Sequence, residues 1–348
     1  MKVLLVCDKS GGHIFPALAA AKVLRDHGQD VRFFAASRFF RDLLKKEGFK
    51  VYGRDVNMRN ILVEGLLRIP EALGLLLKLW PRRVVGFGGR DSFFIVVFAR
   101  LLFMDTEIYE PNRKMGKANT VLAWFVRRIL RGWPESIGMT AGSKDSFAGV
   151  PLREAIINDR RDKARAKKSL GFGSGPVILC LGGSQGASFV NRVFLEFLEK
   201  GLVECQVIHL TGTREYIEIS QRYIKINIKS VVLGFHQKME ELYGAADMVI
   251  SRSGATVLAE IAYYGLPQVL IPHPGGGGHQ RGNAFYFRDK KTAEVFLQEG
   301  FSSQDFDRVV RKIISDDVVR RDMAAGFEGI TMGVSAVQFC KNAGWISG

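Results

Sequence analysis

The sequence predicts an α/β protein made of two Rossmann-like halves that face a central cleft. Short apolar segments of strand length recur along the chain, and several run directly into glycine-rich turns followed by helix-like segments. One such unit opens the chain at residues 2–13, and a second starts afresh at residues 176–187. Because 348 residues exceed the size of one ordinary core, two domains are expected.

The composition is that of a globular protein, 47% hydrophobic and 24% charged, with a net charge of +15. This charge favours an anionic partner: a phosphorylated substrate, an anionic membrane or a nucleic acid. Nucleic acid is the least favoured, because no helix-turn-helix, zinc-finger or aromatic RNA-binding pattern is present. Four scattered cysteines without metal-binding spacing indicate buried thiols in a reducing compartment. No secretory signal peptide is expected, since the first strand runs straight into a turn.

The first half opens with a strand at residues 2–7, a tight turn at residues 8–13 and a helix over residues 14–27. The turn lacks the GxGxxG pattern, so a dinucleotide cofactor is not indicated. His13 lies at the carboxyl end of the first strand, where open parallel sheets bind their ligands. A general base and a structural histidine are both consistent with this position.

Two more strand-like segments of this half end in turns, at Gly89 and at Glu110. The carboxyl ends of parallel strands meet at one edge of a sheet, so the turns around Gly11, Gly89 and Glu110 should lie together and face the cleft. A further short strand is predicted at residues 138–142.

Residues 61–80 form a leucine-rich segment that ends in Trp80 and is followed by two arginines. Four charged residues and a central proline argue against a transmembrane helix. A segment that lies in the membrane interface and an ordinary core helix both fit this pattern.

The second half is most informative at Ser253 and Gly254, where a buried strand turns into a helix that stops at Gly265. The free N–H groups at the start of this helix are suited to phosphate. Glu260 lies roughly two turns along, where a carboxylate suits sugar hydroxyls. The alternative is an ordinary βαβ unit with a solvated glutamate. The strands predicted in this half are residues 176–181, 206–210, 230–233, 248–250 and 268–271.

The motifs that carry a resemblance are Gly11-Gly-His-Ile-Phe-Pro-Ala-Leu-Ala19, Gly182-Gly-Ser-Gln-Gly-Ala187, Ser251-Arg-Ser-Gly-Ala255, Glu260 and His279-Gln-Arg-Gly-Asn-Ala284. In this order, and across nearly the whole chain, they resemble the MurG family, the peptidoglycan N-acetylglucosaminyltransferases that convert lipid I to lipid II. The resemblance implies a glycosyltransferase B fold. Residues 1–153 would face the acceptor and the membrane, residues 154–330 would bind the UDP-sugar, and residues 331–348 would form a helix packed back on the N-terminal domain.

The resemblance also implies which residues bind the donor, UDP-N-acetylglucosamine. The helix start would hold phosphate, Glu260 the ribose hydroxyls, and the backbone of His236 the uracil. Ser184 and Gln185 would meet the diphosphate or the sugar. The implied donor-binding residues are Arg153, Ser184, Gln185, His236, Ala255, Thr256, Val257, Leu258, Ala259, Glu260, Gln280 and Asn283.

On the acceptor side the resemblance implies His13 and Glu110 as catalytic residues, His13 being the base that takes a proton from the acceptor hydroxyl in an inverting transfer. The other implied acceptor-side residues are Ser10, Gly11, Gly12 and Asn112. No cofactor and no metal are implied, because no Asp-x-Asp pair appears where a cation would be needed and the helix start can stabilise the leaving diphosphate. The expected partners are UDP-N-acetylglucosamine, lipid I and an anionic membrane surface, on the cytoplasmic face of the cell membrane.

The chain departs from the family at several positions. The usual glycines of the first turn are Asp8 and Lys9, the usual His-Glu-Gln-Asn is Tyr109-Glu-Pro-Asn112, and Arg90 replaces a tyrosine. These changes are expected to touch the acceptor side. A transferase of the same fold with another lipid or natural-product acceptor, a nucleotide-sugar epimerase and a binding-only paralogue are the alternatives, and the last would bind UDP without releasing it from the donor.

Overall fold

The computed structural model describes residues 1–8, 11–54, 61–136, 144–159, 162–182, 187–201 and 203–347, without the side chains of residues 61–68, 90, 91 and 276. The chain divides into two compact units. Unit 1 comprises Met1–Arg153 and Thr331–Gly348, and unit 2 comprises Glu154–Ile330. The strand predicted at residues 138–142 lies outside the described residues, as do Ser10, Ser184 and Gln185.

The strands are β1 Lys2–Cys7, β2 Asp30–Ala35, β3 Lys50–Tyr52, β4 Arg83–Gly86, β5 Asp105–Glu110, β6 Arg128–Arg131, β7 Asp145–Phe147, β8 Val150–Leu152, β9 Val177–Leu181, β10 Gln206–Leu210, β11 Ser230–Leu233, β12 Met248–Ser251, β13 Gln268–Leu270, β14 Ala293–Val295 and β15 Gly333–Ser335. The helices are α1 Gly11–Asp26, α2 Arg38–Lys46, α3 Ile61–Leu79, α4 Arg90–Leu101, α5 Lys117–Leu122, α6 Glu154–Asn158, α7 Lys163–Ser169, α8 Ser188–Glu199, α9 Tyr216–Tyr223, α10 Met239–Ala245, α11 Ala255–Tyr264, α12 His279–Asp289, α13 Ser303–Ser315, α14 Asp317–Ala325 and α15 Ala336–Asn342.

Unit 1 is built on a parallel sheet with the strand order β3-β2-β1-β4-β5-β6-β7. The order reverses between β1 and β4, which pair with Val6 opposite Gly86. At such a switch point the loops leave towards opposite faces of the sheet and open a crevice at the carboxyl edge. Alternate residues of β1 point to opposite faces, so Leu5 packs under α1, α2 and α15, while Leu4 packs under α3, α4 and α5.

The C-terminal segment of the chain completes unit 1. Strand β15 pairs in parallel with β8, and the indole Nε1 of Trp345 donates a 2.7 Å hydrogen bond to Oε2 of Glu107. Burial raises the pKa of the Glu107 carboxyl, although the nearby Arg83 and the Trp345 hydrogen bond oppose this shift. The Nη2 of Arg128 also donates to the carbonyl of Ala343 at 2.6 Å. A buried carboxylate on β5 is therefore partnered by residues from the end of the chain.

Unit 2 repeats the same architecture with the parallel strand order β11-β10-β9-β12-β13-β14, in which the order reverses between β9 and β12. Helices α8, α9, α13 and α14 bury their apolar sides on one face of this sheet. Helix α10 packs against α7 and α11. The predicted α/β class with two Rossmann-like halves is confirmed, and the switch point of unit 2 lies beside the turn at Ser253 and Gly254.

Candidate active site

His13 lies beside the switch point of unit 1. Helix α1 begins at Gly11 rather than at residue 14, so His13 is in its first turn, and its ring rests against the turn that follows β4. A Cβ placed on Gly88 would be 2.9 Å from His13 Nε2, and Gly88 has a φ of 102°. Only glycine combines this backbone with so close an approach. The neighbouring Gly89 leaves room in the same way for the Asp8 carboxylate. The partly exposed imidazole is thus held where a general base is expected.

Glu110, at the end of β5, organises the turn that follows it. Its Oε1 accepts from the backbone N and the Nδ2 of Asn112 at 3.0 and 2.9 Å. Its Oε2 accepts from the backbone N of Gly116 at 2.9 Å and from Nδ2 of Asn119 at 3.0 Å. Four donors occupy the lone pairs that a carboxylate offers. The catalytic role stays a prediction, and these bonds give Glu110 a structural role in fixing Asn112.

The side chain of Tyr109 does not lie where the resemblance to the family implied. Its side chain is fully buried among Phe87 and Phe339, and its hydroxyl donates to the carbonyl of Gly149 at 3.1 Å. For Tyr109 the expectation of a contact with the acceptor side is therefore wrong, because the side chain at this strand position points into the core of unit 1. The side chain of Arg90 lies outside the described part of the structure.

Two further predicted acceptor-side residues lie at the start of α1, and the predicted donor-binding Arg153 lies close to the same helix. Gly11 and Gly12 lie in that turn with His13, Gly12 being exposed. Arg153, the last residue of this part of unit 1, holds its guanidinium 5.9 Å from the ring centre of Phe15. Since Phe15 is two residues beyond His13 on α1, Arg153 reaches the same helix as the predicted base.

In unit 2 the start of helix α11 is open to an anion. Gly254 is its N-cap and offers no side-chain acceptor, so the N–H groups of Ala255, Thr256 and Val257 have no partner within the helix. The hydroxyl Oγ1 of Thr256 is buried and makes no hydrogen bond. Unpaired donors at the positive end of a helix dipole favour phosphate.

The start of helix α12, which follows β13 after a short loop, is tied to this turn. The hydroxyl of Ser253 donates to the carbonyl of Gln280 at 2.8 Å, and Nδ2 of the fully buried Asn283 donates to the carbonyl of Ser253 at 3.1 Å. The side-chain Oε1 of Gln280 accepts from the backbone N of His273 at 3.0 Å. In this structure the two predicted sugar-binding residues support the turn, and their contact with sugar stays a prediction.

Glu260 lies on the same helix, 4% exposed, and a residue that the sequence reasoning missed touches it. The hydroxyl of Tyr243, on α10, donates a 2.9 Å hydrogen bond to Oε2 of Glu260. No short-range sequence pattern points to this pair, because the contact joins two different helices. His236, just before α10, has its Nε2 3.4 Å from Oε2 of Glu241. The remaining predicted residues of α11 are Leu258 and Ala259, both fully buried on its core side.

Gly182, which directly follows β9, lies against a network of buried polar side chains. A Cβ on Gly182 would be 2.5 Å from Oδ1 of Asn191, so this position also requires glycine. Asn191 Nδ2 donates to Oε2 of Glu215 at 2.7 Å, while its Oδ1 accepts from His209 Nε2 at 3.1 Å. The Nδ1 of His209 is left to accept from the hydroxyl of Tyr223 at 3.0 Å. Because Asn191 Nδ2 is already a donor to Glu215, its Oδ1 faces His209, and a neutral imidazole here carries its proton on Nε2.

This buried histidine predicts a specific pH dependence of stability. Burial lowers the pKa of His209 to about 3. In the unfolded chain the pKa of this histidine is about 6.5. Between pH 6.5 and pH 3 the unfolded chain therefore binds one more proton than the folded chain. The free energy of unfolding falls as the pH falls, with a limiting slope of about 1.4 kcal/mol per pH unit. Between pH 6.5 and pH 5 the free energy of unfolding, measured in urea, should fall by about 1.7 kcal/mol more for the native chain than for His209→Gln. Equal losses in the two proteins would contradict the assignment.

The other prominent surface is an apolar one on unit 1, which we call the aromatic patch. It lies where α3, α4 and α5 end, on one face of the sheet, and its most exposed rings are Trp80 at 59%, Phe103 at 92% and Trp124 at 82%. The arginines Arg82, Arg100 and Arg127, next to these ends, are exposed. The full patch is Leu77, Trp80, Leu101, Phe103, Val121, Trp124 and Phe125. The sequence prediction found only the part of it within residues 61–80.

Two residues of the aromatic patch have an unusual backbone. Trp80 and Phe103, which follow the ends of α3 and α4, have φ values of 42° and 58°. Glycine is the usual residue at such left-handed helix ends, and another residue costs about 1–2 kcal/mol there. Among the described residues no helix is both long and apolar enough to span a membrane. The patch is thus an apolar surface whose aromatic residues are kept at a cost to stability.

Known proteins match both units. The glycosyltransferase family 28 N-terminal domain matches residues 5–131, and the family 28 C-terminal domain matches residues 177–333. Over 340 residues the chain is 34% identical to the UDP-N-acetylglucosamine–N-acetylmuramyl-(pentapeptide) pyrophosphoryl-undecaprenol N-acetylglucosamine transferase of Desulfotalea psychrophila, covering 92% of this chain and 90% of that protein. The chain belongs to the MurG family.

Further relatives of the MurG family agree with this assignment. The enzyme of the same name from Halothermothrix orenii is 32% identical over 346 residues, covering 93% of both chains. The crystal structure of Acinetobacter baumannii MurG matches with a TM-score of 0.78, over 99% of both chains at 23% identity, which supports the fold. The resemblance inferred from the motifs is confirmed, and the chain is a glycosyltransferase. Within the described residues no cluster of His, Cys, Asp and Glu could hold a metal ion.

Proposed function

We propose that this chain transfers N-acetylglucosamine from UDP-N-acetylglucosamine to lipid I and so forms lipid II. The observation that carries the proposal is the open start of α11 at the switch point of unit 2, in a chain 34% identical to a curated transferase of this name. A helix start holds the diphosphate of the donor, and a carboxylate two turns along meets its ribose.

Unit 2 binds the donor in this proposal. The N–H groups of Ala255, Thr256 and Val257 and the hydroxyl of Thr256 supply donors for the diphosphate. Glu260 accepts from the ribose hydroxyls, and the backbone of His236 meets the uracil. Ser184 and Gln185 contact the diphosphate or sugar, and Gln280 and Asn283 recognise the sugar.

Unit 1 binds the acceptor and supplies the base. The acceptor hydroxyl attacks the anomeric carbon with inversion, His13 takes the hydroxyl proton, and UDP leaves. Charge that develops on the departing diphosphate is stabilised by the oriented N–H groups at the start of α11, without a divalent cation. Glu110 and Asn112, fixed to one another by hydrogen bonds, line the acceptor turn together with Gly11 and Gly12.

The aromatic patch binds the membrane in which the lipid acceptor lies. Exposed tryptophan and phenylalanine rings beside arginines are suited to the interface of an anionic bilayer, and a net charge of +15 adds attraction. The proposal places the protein on the cytoplasmic face of the cell membrane as a peripheral protein.

The test is the release of UDP from UDP-N-acetylglucosamine, with and without a lipid I analogue, in magnesium and in chelator. Release that requires the analogue and survives chelation is expected. Release only with a different lipid would assign another acceptor, and donor binding without release on any lipid would make the chain a binding protein. Loss of release in chelator would overturn the metal-independent chemistry.

A further inference from the structure

We infer that Tyr243 is a positioning residue for nucleotide binding, which fixes the Glu260 carboxylate so that it meets the ribose hydroxyls. The inference deepens the proposed function and rests on its donor site. It assigns a task to a residue that no motif contains.

The geometry of the pair is that of a buried, charge-assisted hydrogen bond. The Tyr243 side chain is 1% exposed and Glu260 is 4% exposed, and the hydroxyl lies 2.9 Å from Oε2. The ring of Tyr243 is packed at 5.5 Å, centre to centre, against the ring of Tyr264 one helix turn beyond Glu260. Both the ring and the hydroxyl therefore have a fixed position relative to α11.

A carboxylate that binds a diol needs a fixed plane, because two hydroxyl donors must reach its oxygens at the same time. A glutamate side chain on its own has three rotatable bonds and must lose their freedom when the nucleotide binds. A hydrogen bond from Tyr243 removes much of that freedom in advance, which raises affinity through preorganisation.

Helix α10 connects the Tyr243–Glu260 pair to the segment that is predicted to bind uracil. It begins at Met239, three residues after His236, and it also carries Glu241, whose Oε2 is 3.4 Å from the ring of His236. Tyr243 lies on the same short helix. One element thus touches both the predicted uracil-binding residue and the predicted ribose-binding carboxylate, which fits a support for the nucleoside.

The experiment compares Tyr243→Phe with the native chain for two ligands, UDP and 2′,3′-dideoxyuridine diphosphate, by titration calorimetry. The variant is expected to bind UDP about 5- to 20-fold more weakly, and the dideoxy ligand within about twofold of the native chain. With the full donor, KM should rise by the same factor as the UDP dissociation constant while kcat stays within about twofold. Equal weakening of both ligands would overturn the inference, since loosened packing acts on both.

Two further variants keep the outcomes distinct. Tyr264→Phe removes the hydroxyl of the neighbouring tyrosine, which lies 3.5 Å from the carbonyl of Glu240. This variant should bind both ligands as tightly as the native chain. Glu260→Ala should weaken the binding of UDP but not the binding of the dideoxy ligand. If Glu260→Ala leaves UDP binding intact, the proposed ribose site itself fails; if only Tyr243→Phe is silent, the positioning inference fails and the site stands.

Discussion

Replacing His13 with alanine is expected to lower the turnover number by a factor of about 10²–10⁴ while the UDP dissociation constant changes by less than about twofold. The ring lies beside the switch point of unit 1, against Gly88, whereas the proposed phosphate and ribose site lies in unit 2. If His13 is the base, removing its imidazole takes away the group that accepts the proton as the acceptor attacks, while the proposed UDP contacts within unit 2 are left in place. Steady-state release of UDP with saturating acceptor and calorimetric binding of UDP measure the two quantities.

His27→Ala is the matched control. His27 directly follows the carboxyl end of α1, and its Nδ1 is 2.8 Å from the carbonyl oxygen of Val23. This variant should keep its turnover number within about twofold. An unchanged turnover number in His13→Ala would remove His13 as the base, and a parallel loss of UDP binding would indicate a binding role instead.

Replacing both Trp80 and Phe103 with glycine is expected to change two properties in opposite directions. Binding to anionic vesicles should fall by about tenfold or more, because two exposed rings that would enter the interface are lost. The free energy of unfolding should rise by about 0.5–1 kcal/mol for each substitution, because glycine relieves the left-handed backbone at φ values of 42° and 58°. Vesicle co-sedimentation and urea unfolding measure these effects.

Lys291→Gly is the control for this pair. Lys291 is a non-glycine residue with a similar backbone, at a φ of 59°, and it belongs to unit 2. It should gain similar stability and keep its vesicle binding. If the double variant bound vesicles as well as the native chain, the aromatic patch would not be the membrane-binding surface.

The fold class was predictable because the apolar strands and the glycine turns are local features. Residues 3–7 alternate between two buried faces, so the strand is apolar over this length, and glycines such as Gly88 and Gly182 allow the turns to approach neighbouring side chains closely. The start of α1 was missed by three residues, because Gly11 and Gly12 are weak helix formers that tertiary packing nevertheless holds in the helix.

Side-chain direction and contacts between helices were not predictable. A family motif identifies Tyr109 by position only, whereas its direction into the core follows from packing against Phe339 of the C-terminal segment. Tyr243 meets Glu260 only because α10 and α11 lie together. In the same way, Phe103 and Trp124 join Trp80 in one patch because successive βα units bring three helix ends to one edge of the sheet.

The C-terminal segment has a consequence for biosynthesis. Unit 2 is inserted between Arg153 and Thr331, so a ribosome finishes it before it delivers β15, α15 and the indole of Trp345 that unit 1 requires. Until then Glu107 lacks its indole partner, and the core around Tyr109 lacks Phe339. Unit 2 can therefore complete its fold during synthesis before unit 1, which stays incomplete until β15, α15 and Trp345 have been made.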